Sequence, residues 1–211
     1  MYLFLLLIIP LSFFIQTSFA PLSGRFVNKS NITYYVFTLV FSLIFTALYS
    51  LLIFKSYLPP KNFGLLTVHF YLTETLIPFA VISLILLLFS IKQPDNYLEN
   101  IFACFAAFAS VFIPYRVFST GITLCAFSLF IKPVLFVLLI IALKLMINAC
   151  AFSLSNGPAF FILALLVTIL FSIVPSLIEA FWYCGGQLYL CITFTILYAG
   201  AIYAGKYLFK V

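Results

Sequence analysis

Residues 159–178 read AFFILALLVTILFSIVPSLI and contain no charged side chain. A helix of about 20 apolar residues is long enough to cross a hydrocarbon core of roughly 30 Å. Residues 34–54 form a second uncharged run of similar length. Because backbone polar groups have no water to bond inside lipid, runs of this kind are expected to be membrane helices.

The composition of the whole chain also excludes a water-soluble protein. Of its 211 residues, 66% are hydrophobic and only 7% are charged, whereas a soluble domain carries about 25% charged residues. Ten Lys and Arg residues outnumber four Asp and Glu residues, but they stand singly in loops and at helix ends, as the positive-inside rule leads us to expect. No basic cluster is present, so we expect the lipid bilayer as a partner and exclude nucleic acid.

The sequence predicts an all-α fold, a polytopic helical transmembrane bundle forming a single integral membrane domain over residues 1–211. We expect six to eight membrane segments, with seven or eight preferred, because apolar runs alternate with proline, glycine and charged breaks. Residues 101–113 and 117–131 are short, and they form either two thin spans or a re-entrant hairpin. A β-barrel is excluded because its alternating polar positions are missing. The other expected spans cover residues 75–91, 134–152, 159–180 and 187–207.

The first 20 residues are expected to be a retained first membrane helix, the alternative being an uncleaved signal-like segment. They lack the positively charged start of a secretory signal, and Pro21 follows the point where cleavage would occur. Asn28 and Asn31 each begin an N-glycosylation sequon, a weak indication that this part of the chain lies outside. The sequence does not identify the membrane, so the localisation is that of a multi-pass integral membrane protein.

Ionisable residues within membrane segments are energetically costly, so each one is a candidate functional residue. Glu74, His69, Lys144 and Glu179 form the candidate intramembrane polar site. His69 and Glu74 are either a pair that binds a proton or cation, or two headgroup-level residues before a span that begins at residue 75. Glu179 precedes aromatic residues typical of a membrane interface, which favours a position at the membrane edge. Lys144 either reaches the interface or pairs with Glu74 or Glu179.

Two other features bear on this site. Lys132 and Arg116 bracket a short apolar segment, and both are expected at its interfacial ends. Pro175 lies one turn before Glu179, where it is expected to bend the helix and to free a backbone carbonyl.

Two sets of small residues have the spacing that lets membrane helices approach closely. We interpret them as helix-packing positions that face either the same chain or another membrane protein. The first set is Gly200, Ala201, Ala204 and Gly205, and the second is Ala103 with Ala107 and Ala106 with Ser110.

No catalytic motif is present, because the sequence lacks a GxSxG elbow, an HExxH zinc motif and a phosphate-binding loop. We therefore predict no catalytic residue, no metal site and no cofactor. One His, one Asp and three Glu leave little for acid–base chemistry. An intramembrane enzyme that uses His69 and Glu74 is the least favoured hypothesis.

The spacing of prolines along the chain resembles that of a known family. The pairs Pro59-Pro60 and Ile77-Pro78, followed by IVPS at residues 173–176, resemble the pattern of the Yip1-type membrane proteins. That resemblance implies a compact group of helices and a role in membrane trafficking. The Asp-Leu-Tyr-Gly-Pro motif of that family is absent, and no residue role is carried over.

The favoured function is that of a small-solute transporter or a membrane subunit of a transport complex. It rests on the candidate charges within apolar helices and on the proline-broken segments. The alternative is a non-enzymatic structural or trafficking protein that acts through helix–helix contacts. In either case we expect a membrane-protein partner or a homo-oligomer.

Overall fold

The computed structural model describes residues 29–51, 61–90, 104–112, 114–115, 127–154 and 157–208. Within these ranges the chain forms helices joined by turns, with no β-strand, which confirms the all-α prediction. The π-helical turns Tyr71–Leu76 and Phe127–Ile131 adjoin α-helices of the chain. The helices are α1 (Lys29–Tyr49), α2 (Phe63–Phe70), α3 (Ile77–Ser90), α4 (residues 104–112), α5 (Lys132–Leu154), α6 (Pro158–Tyr183) and α7 (Leu188–Leu208).

Three helices of the described part are long and apolar enough to cross a membrane. They span Phe63–Leu84, Pro158–Tyr183 and Leu188–Gly205. Residues 1–20 and most of 117–131 lie outside the described residues. The number of six to eight segments, the multi-pass topology and the single domain therefore remain predictions.

The first of these membrane-length helices begins well before residue 75. Asn62 is its N-cap, and the Asn62 side chain accepts a hydrogen bond of 3.0 Å from the backbone N–H of Gly64. This contact satisfies one of the donors that a helix start leaves unpaired. From Phe63 the chain remains helical through Glu74 and into α3. The span that the sequence places from residue 75 therefore continues a helix that begins at Phe63.

The chain falls into two compact units. The first unit comprises Met1–Leu58 and Ile77–Leu124, and the second comprises Pro59–Leu76 and Cys125–Val211. The acidic candidates Glu74 and Glu179 both belong to the second unit.

Small residues join α1 to α4 within the first unit. Ala106 and Ala107 are buried, at 2% and 0% exposure, and pack against Tyr35 of α1. The Thr38 hydroxyl donates a hydrogen bond of 2.9 Å to the Cys104 sulfur. The absence of bulky side chains lets the two helices approach, which confirms the packing role predicted for these two alanines.

Helix α6 is at the centre of the second unit, where it packs against α2, α5 and α7. Because lipid tails are as apolar as the side chains in this core, close packing rather than water exclusion holds such helices together. The buried core consists of Phe127, Ile131, Leu135, Ala142, Leu145, Ile178, Cys191, Tyr198 and Ile202.

The turn between α6 and α7 depends on two glycines. Gly185 has a φ of 89°, a left-handed conformation that glycine adopts without strain. The Gly186 N–H donates to the carbonyl of Phe181 at 2.9 Å, and a Cβ at Gly186 would lie 2.5 Å from Phe181 atoms. The short turn makes α6 and α7 sequential neighbours in the second unit.

A buried charge cluster as the candidate functional site

Three ionisable side chains from separate parts of the sequence meet in the second unit. The Lys132 Nζ lies 2.8 Å from the Glu74 Oε2 and 2.5 Å from the Glu179 Oε1. Side-chain exposure is 6% for Lys132, 3% for Glu74 and 8% for Glu179. We call this group the charge cluster. It joins the π turn after α2, the start of α5 and the C-terminal part of α6.

Buried charges are expensive to remove from water, and attraction offsets that cost only when the geometry is good. Here the Lys132 ammonium lies at ion-pair distance from both carboxylates. Lys132 therefore links α5 to the π turn after α2 and to α6. Loss of one partner of such a pair is strongly destabilising because a charge is left buried. The charge cluster therefore links the three helices through one buried ammonium.

Each residue of the charge cluster lies within four residues of a proline in its own helix. A proline has no N–H, so the carbonyl four residues earlier loses its helical donor. In two of the helices a π turn precedes the proline, and such turns recur at functional sites. The pairs are Glu74 with Pro78, Lys132 with Pro133, and Glu179 with Pro175.

In α6, the carbonyl that Pro175 leaves without a donor is that of Phe171. The Tyr198 hydroxyl of α7 donates to this carbonyl at 3.0 Å. The carbonyl that Pro175 was predicted to leave without a helical donor therefore accepts a hydrogen bond from α7 instead.

Aromatic side chains pack close to the charge cluster. Phe127, five residues before Lys132, stacks on Trp182, with ring centroids 5.1 Å apart and an interplanar angle of 3°. On the α2 side, Phe70 packs against Ala180 and contacts the ring of Tyr183 at 5.0 Å. Apolar rings therefore flank the cluster along α6 and in front of α5.

A groove with a volume of about 460 Å³, open along one side, lies between α6 and α7. Its walls are apolar, and they include residues on both sides of Pro175. Phe171, Val174, Leu177, Ile178 and Tyr198 are among the residues that line it.

The structure brings together two of the four residues predicted for the polar site, namely Glu74 and Glu179. His69 lies in α2, half-buried, with its ring 5.8 Å from that of Phe70. Lys144 lies in α5, about 18 Å along the helix axis from Lys132 at 1.5 Å per residue, and its side chain is outside the described residues. The cation at the two glutamates is therefore Lys132, whereas the sequence suggests Lys144 as one possible partner.

Lys132 is the functional candidate that the sequence reasoning missed. We expected it at an interfacial helix end, but its side chain is buried. The π turn Phe127–Ile131 extends the helix in front of it, so Lys132 is not a terminal residue. The sequence signal that would have found it is its neighbour Pro133, because the other two members of the cluster also lie near prolines.

The predicted packing residues of α7 have space around them. A Cβ at Gly200 or Gly205 would meet no atom within 4 Å, and Ala201 and Ala204 are exposed. Gly200 is exposed and Gly205 is buried, so among the described residues the open part of α7 is at Gly200, Ala201 and Ala204, where a partner remains the prediction.

The glycosylation candidates fall at the edge of the described part. Asn31 lies in the first turn of α1, and Asn28 lies outside the described residues.

Comparison of this chain with protein-family models, with curated proteins and with solved structures returns no significant match, the Yip1-type proteins included.

Proposed function

We propose that this chain is a multi-pass membrane protein of transport type, either a small-solute transporter or a membrane subunit of a transport complex. The charge cluster is its working site. The observation that carries the proposal is the burial of Glu74 and Glu179, each in a helix of membrane length, against the buried ammonium of Lys132. Ionisable groups held inside a membrane bundle mark substrate and ion pathways and proton relays.

The helices around the cluster support the same function. Transporter sites are often built where membrane helices are interrupted, so that backbone groups become available beside the substrate. All three residues of the cluster lie within four residues of a proline. Glu74 lies in a π turn, and Lys132 directly follows one. A purely structural ion pair needs no such interruptions.

A transport assay on reconstituted protein tests the proposal. Proteoliposomes are loaded with the pH dye pyranine, and uptake of radiolabelled amino acids, sugars and nucleosides is followed with and without a pH gradient. We expect the wild type to move at least one probe, and Glu179→Gln to reduce that rate at least tenfold. Lys61→Met, which alters an exposed lysine before α2, is the matched control and retains the wild-type rate.

Trp182 emission verifies that each variant is folded before its rate is interpreted. If Glu179→Gln and Glu74→Gln both transport at the wild-type rate, the charge cluster is not the working site. If the wild type moves neither protons nor any solute in the panel, the self-sufficient transporter is refuted. The native mass in mild detergent then decides whether a stoichiometric partner is needed, and the assay is repeated on that complex.

The second candidate is a structural or trafficking protein that acts through helix–helix contacts. It is favoured by the open space beside the exposed Gly200 on α7. Under this alternative, Gly200→Leu abolishes partner capture in mild detergent, and Glu179→Gln leaves capture intact. The two candidates therefore make opposite predictions for the same pair of variants.

A further inference from the structure

We propose that Tyr198 is a positioning residue for the charge cluster: its hydrogen bond across the Pro175 break in α6 holds Glu179 against Lys132. The inference rests on the proposed function only where it links the position of Glu179 to transport. Its geometric content concerns α5, α6 and α7.

The backbone of α6 is weakened at one place. Because Pro175 has no N–H, the carbonyl of Phe171 has no helical donor, and prolines of this kind are where helices bend. Glu179 lies four residues beyond Pro175. A change in the bend at Pro175 would therefore displace Glu179 relative to Lys132 in α5.

The break is bridged from the neighbouring helix. The Tyr198 hydroxyl donates to the Phe171 carbonyl at 3.0 Å, and the Tyr198 side chain is buried at 4% exposure. This bond replaces the helical bond that the proline removes. It fixes α6 at the residue where α6 has lost its own restraint.

The groove beside Pro175 leaves part of α6 without a neighbouring helix among the described residues. It is lined by Phe171 and Val174 before the proline and by Leu177 and Ile178 after it, and Leu177 is 38% exposed. Phe171, Val174 and Ile178 also pack in the core that contains Tyr198. The Tyr198 hydrogen bond therefore restrains α6 together with this packing, and removing one hydroxyl tests its share.

The test measures how often the charge cluster opens. Protein in lipid nanodiscs is treated with a water-soluble amine-reactive ester, and modification of Lys132 is followed by mass spectrometry. Removing the hydroxyl with Tyr198→Phe deletes one hydrogen bond of ordinary strength, so we expect Lys132 to react about two- to tenfold faster. Modification of the exposed Lys61 stays unchanged and serves as the internal standard.

Two further variants separate positioning from a general loss of stability. Ile202→Val removes one methylene from the same helix and from the same core, which destabilises the fold without touching the hydrogen bond. We expect it to accelerate Lys132 modification less than Tyr198→Phe does. Pro175→Ala restores an N–H for the Phe171 carbonyl, so in that background Tyr198→Phe is expected to have no effect.

The inference is overturned if Tyr198→Phe and Ile202→Val accelerate modification equally. It is also overturned if Tyr198→Phe has the same effect with and without Pro175. Neither result bears on transport. Conversely, failure of the transport assay with a positive labelling result would refute the proposed function and leave the positioning role of Tyr198 in place.

Discussion

Replacing Lys132 by Met is the substitution for which the charge cluster makes its strongest prediction. Met keeps most of the side-chain length and removes the ammonium that lies 2.8 Å from Glu74 and 2.5 Å from Glu179. Breaking a buried ion pair by removing one partner costs about 3–5 kcal/mol, because the other charge remains buried. Every 1.4 kcal/mol is about tenfold, so the folding equilibrium shifts by between roughly 100-fold and several thousand-fold.

The assay is urea unfolding in mild detergent, followed by Trp emission. The chain has one Trp, and Trp182 lies three residues from Glu179 and stacks on Phe127, so its emission reports on this unit. Lys61→Met is expected to stay within about 0.5 kcal/mol of wild type, as exposed substitutions usually do.

A triple variant distinguishes lost charge balance from lost packing. Changing Glu74 and Glu179 to Gln together with Lys132→Met removes all three charges at similar volume, a change that is often neutral or stabilising for buried ion pairs. We expect it to recover most of the loss. The reasoning is refuted if Lys132→Met costs no more than Lys61→Met, or if the triple variant is as unstable as Lys132→Met.

Three further substitutions test the packing around the cluster and elsewhere. Phe127→Ala removes a buried ring and is expected to cost about 3–5 kcal/mol in urea unfolding and to shift Trp emission, while the same change at the exposed Phe130 costs much less. Gly186→Ala places a Cβ 2.5 Å from Phe181 atoms and is expected to cost about 1–3 kcal/mol. Gly200→Ala meets open space and is expected to add up to about 1 kcal/mol of helix stability. The melting temperatures of the two variants should therefore move in opposite directions. Ala107→Leu overpacks the α1–α4 contact and is expected to cost about 1–3 kcal/mol, measured as a lower melting temperature by circular dichroism.

The helices of the second unit could largely be predicted from the sequence. Long apolar runs bounded by Lys132-Pro133, Gly157-Pro158 and the glycine pair after residue 184 gave α5, α6 and α7 nearly to their ends, because such boundaries are set by local chemistry. From the sequence, the span that begins at Phe63 is expected to start at residue 75, because Thr67, His69 and Thr73 give the preceding stretch the mixed polar and apolar character of an interfacial segment. In the structure Thr67 and Thr73 bond to carbonyls one turn earlier within the helix, so polarity did not prevent helix formation.

The candidate site could be predicted only in part. Glu74 and Glu179 were identifiable because an acid in an apolar helix is costly wherever it points. Their partner was not identifiable, since helices that are apolar on every side carry no periodic signal to show which face meets which neighbour. Choosing Lys132 over Lys144 requires knowing that α2, α5 and α6 converge, and that is a tertiary property.

The burial of Lys132 is the measurement that tests the central claim most directly. Wild-type protein in nanodiscs, accessible from both membrane faces, is exposed to the water-soluble amine-reactive ester, and the modification rates of Lys132 and Lys61 are compared by mass spectrometry. The charge cluster predicts rapid modification of Lys61 and protection of Lys132 until the protein is unfolded. Modification of Lys132 at the rate of Lys61 would place its ammonium at the membrane surface and would contradict the account.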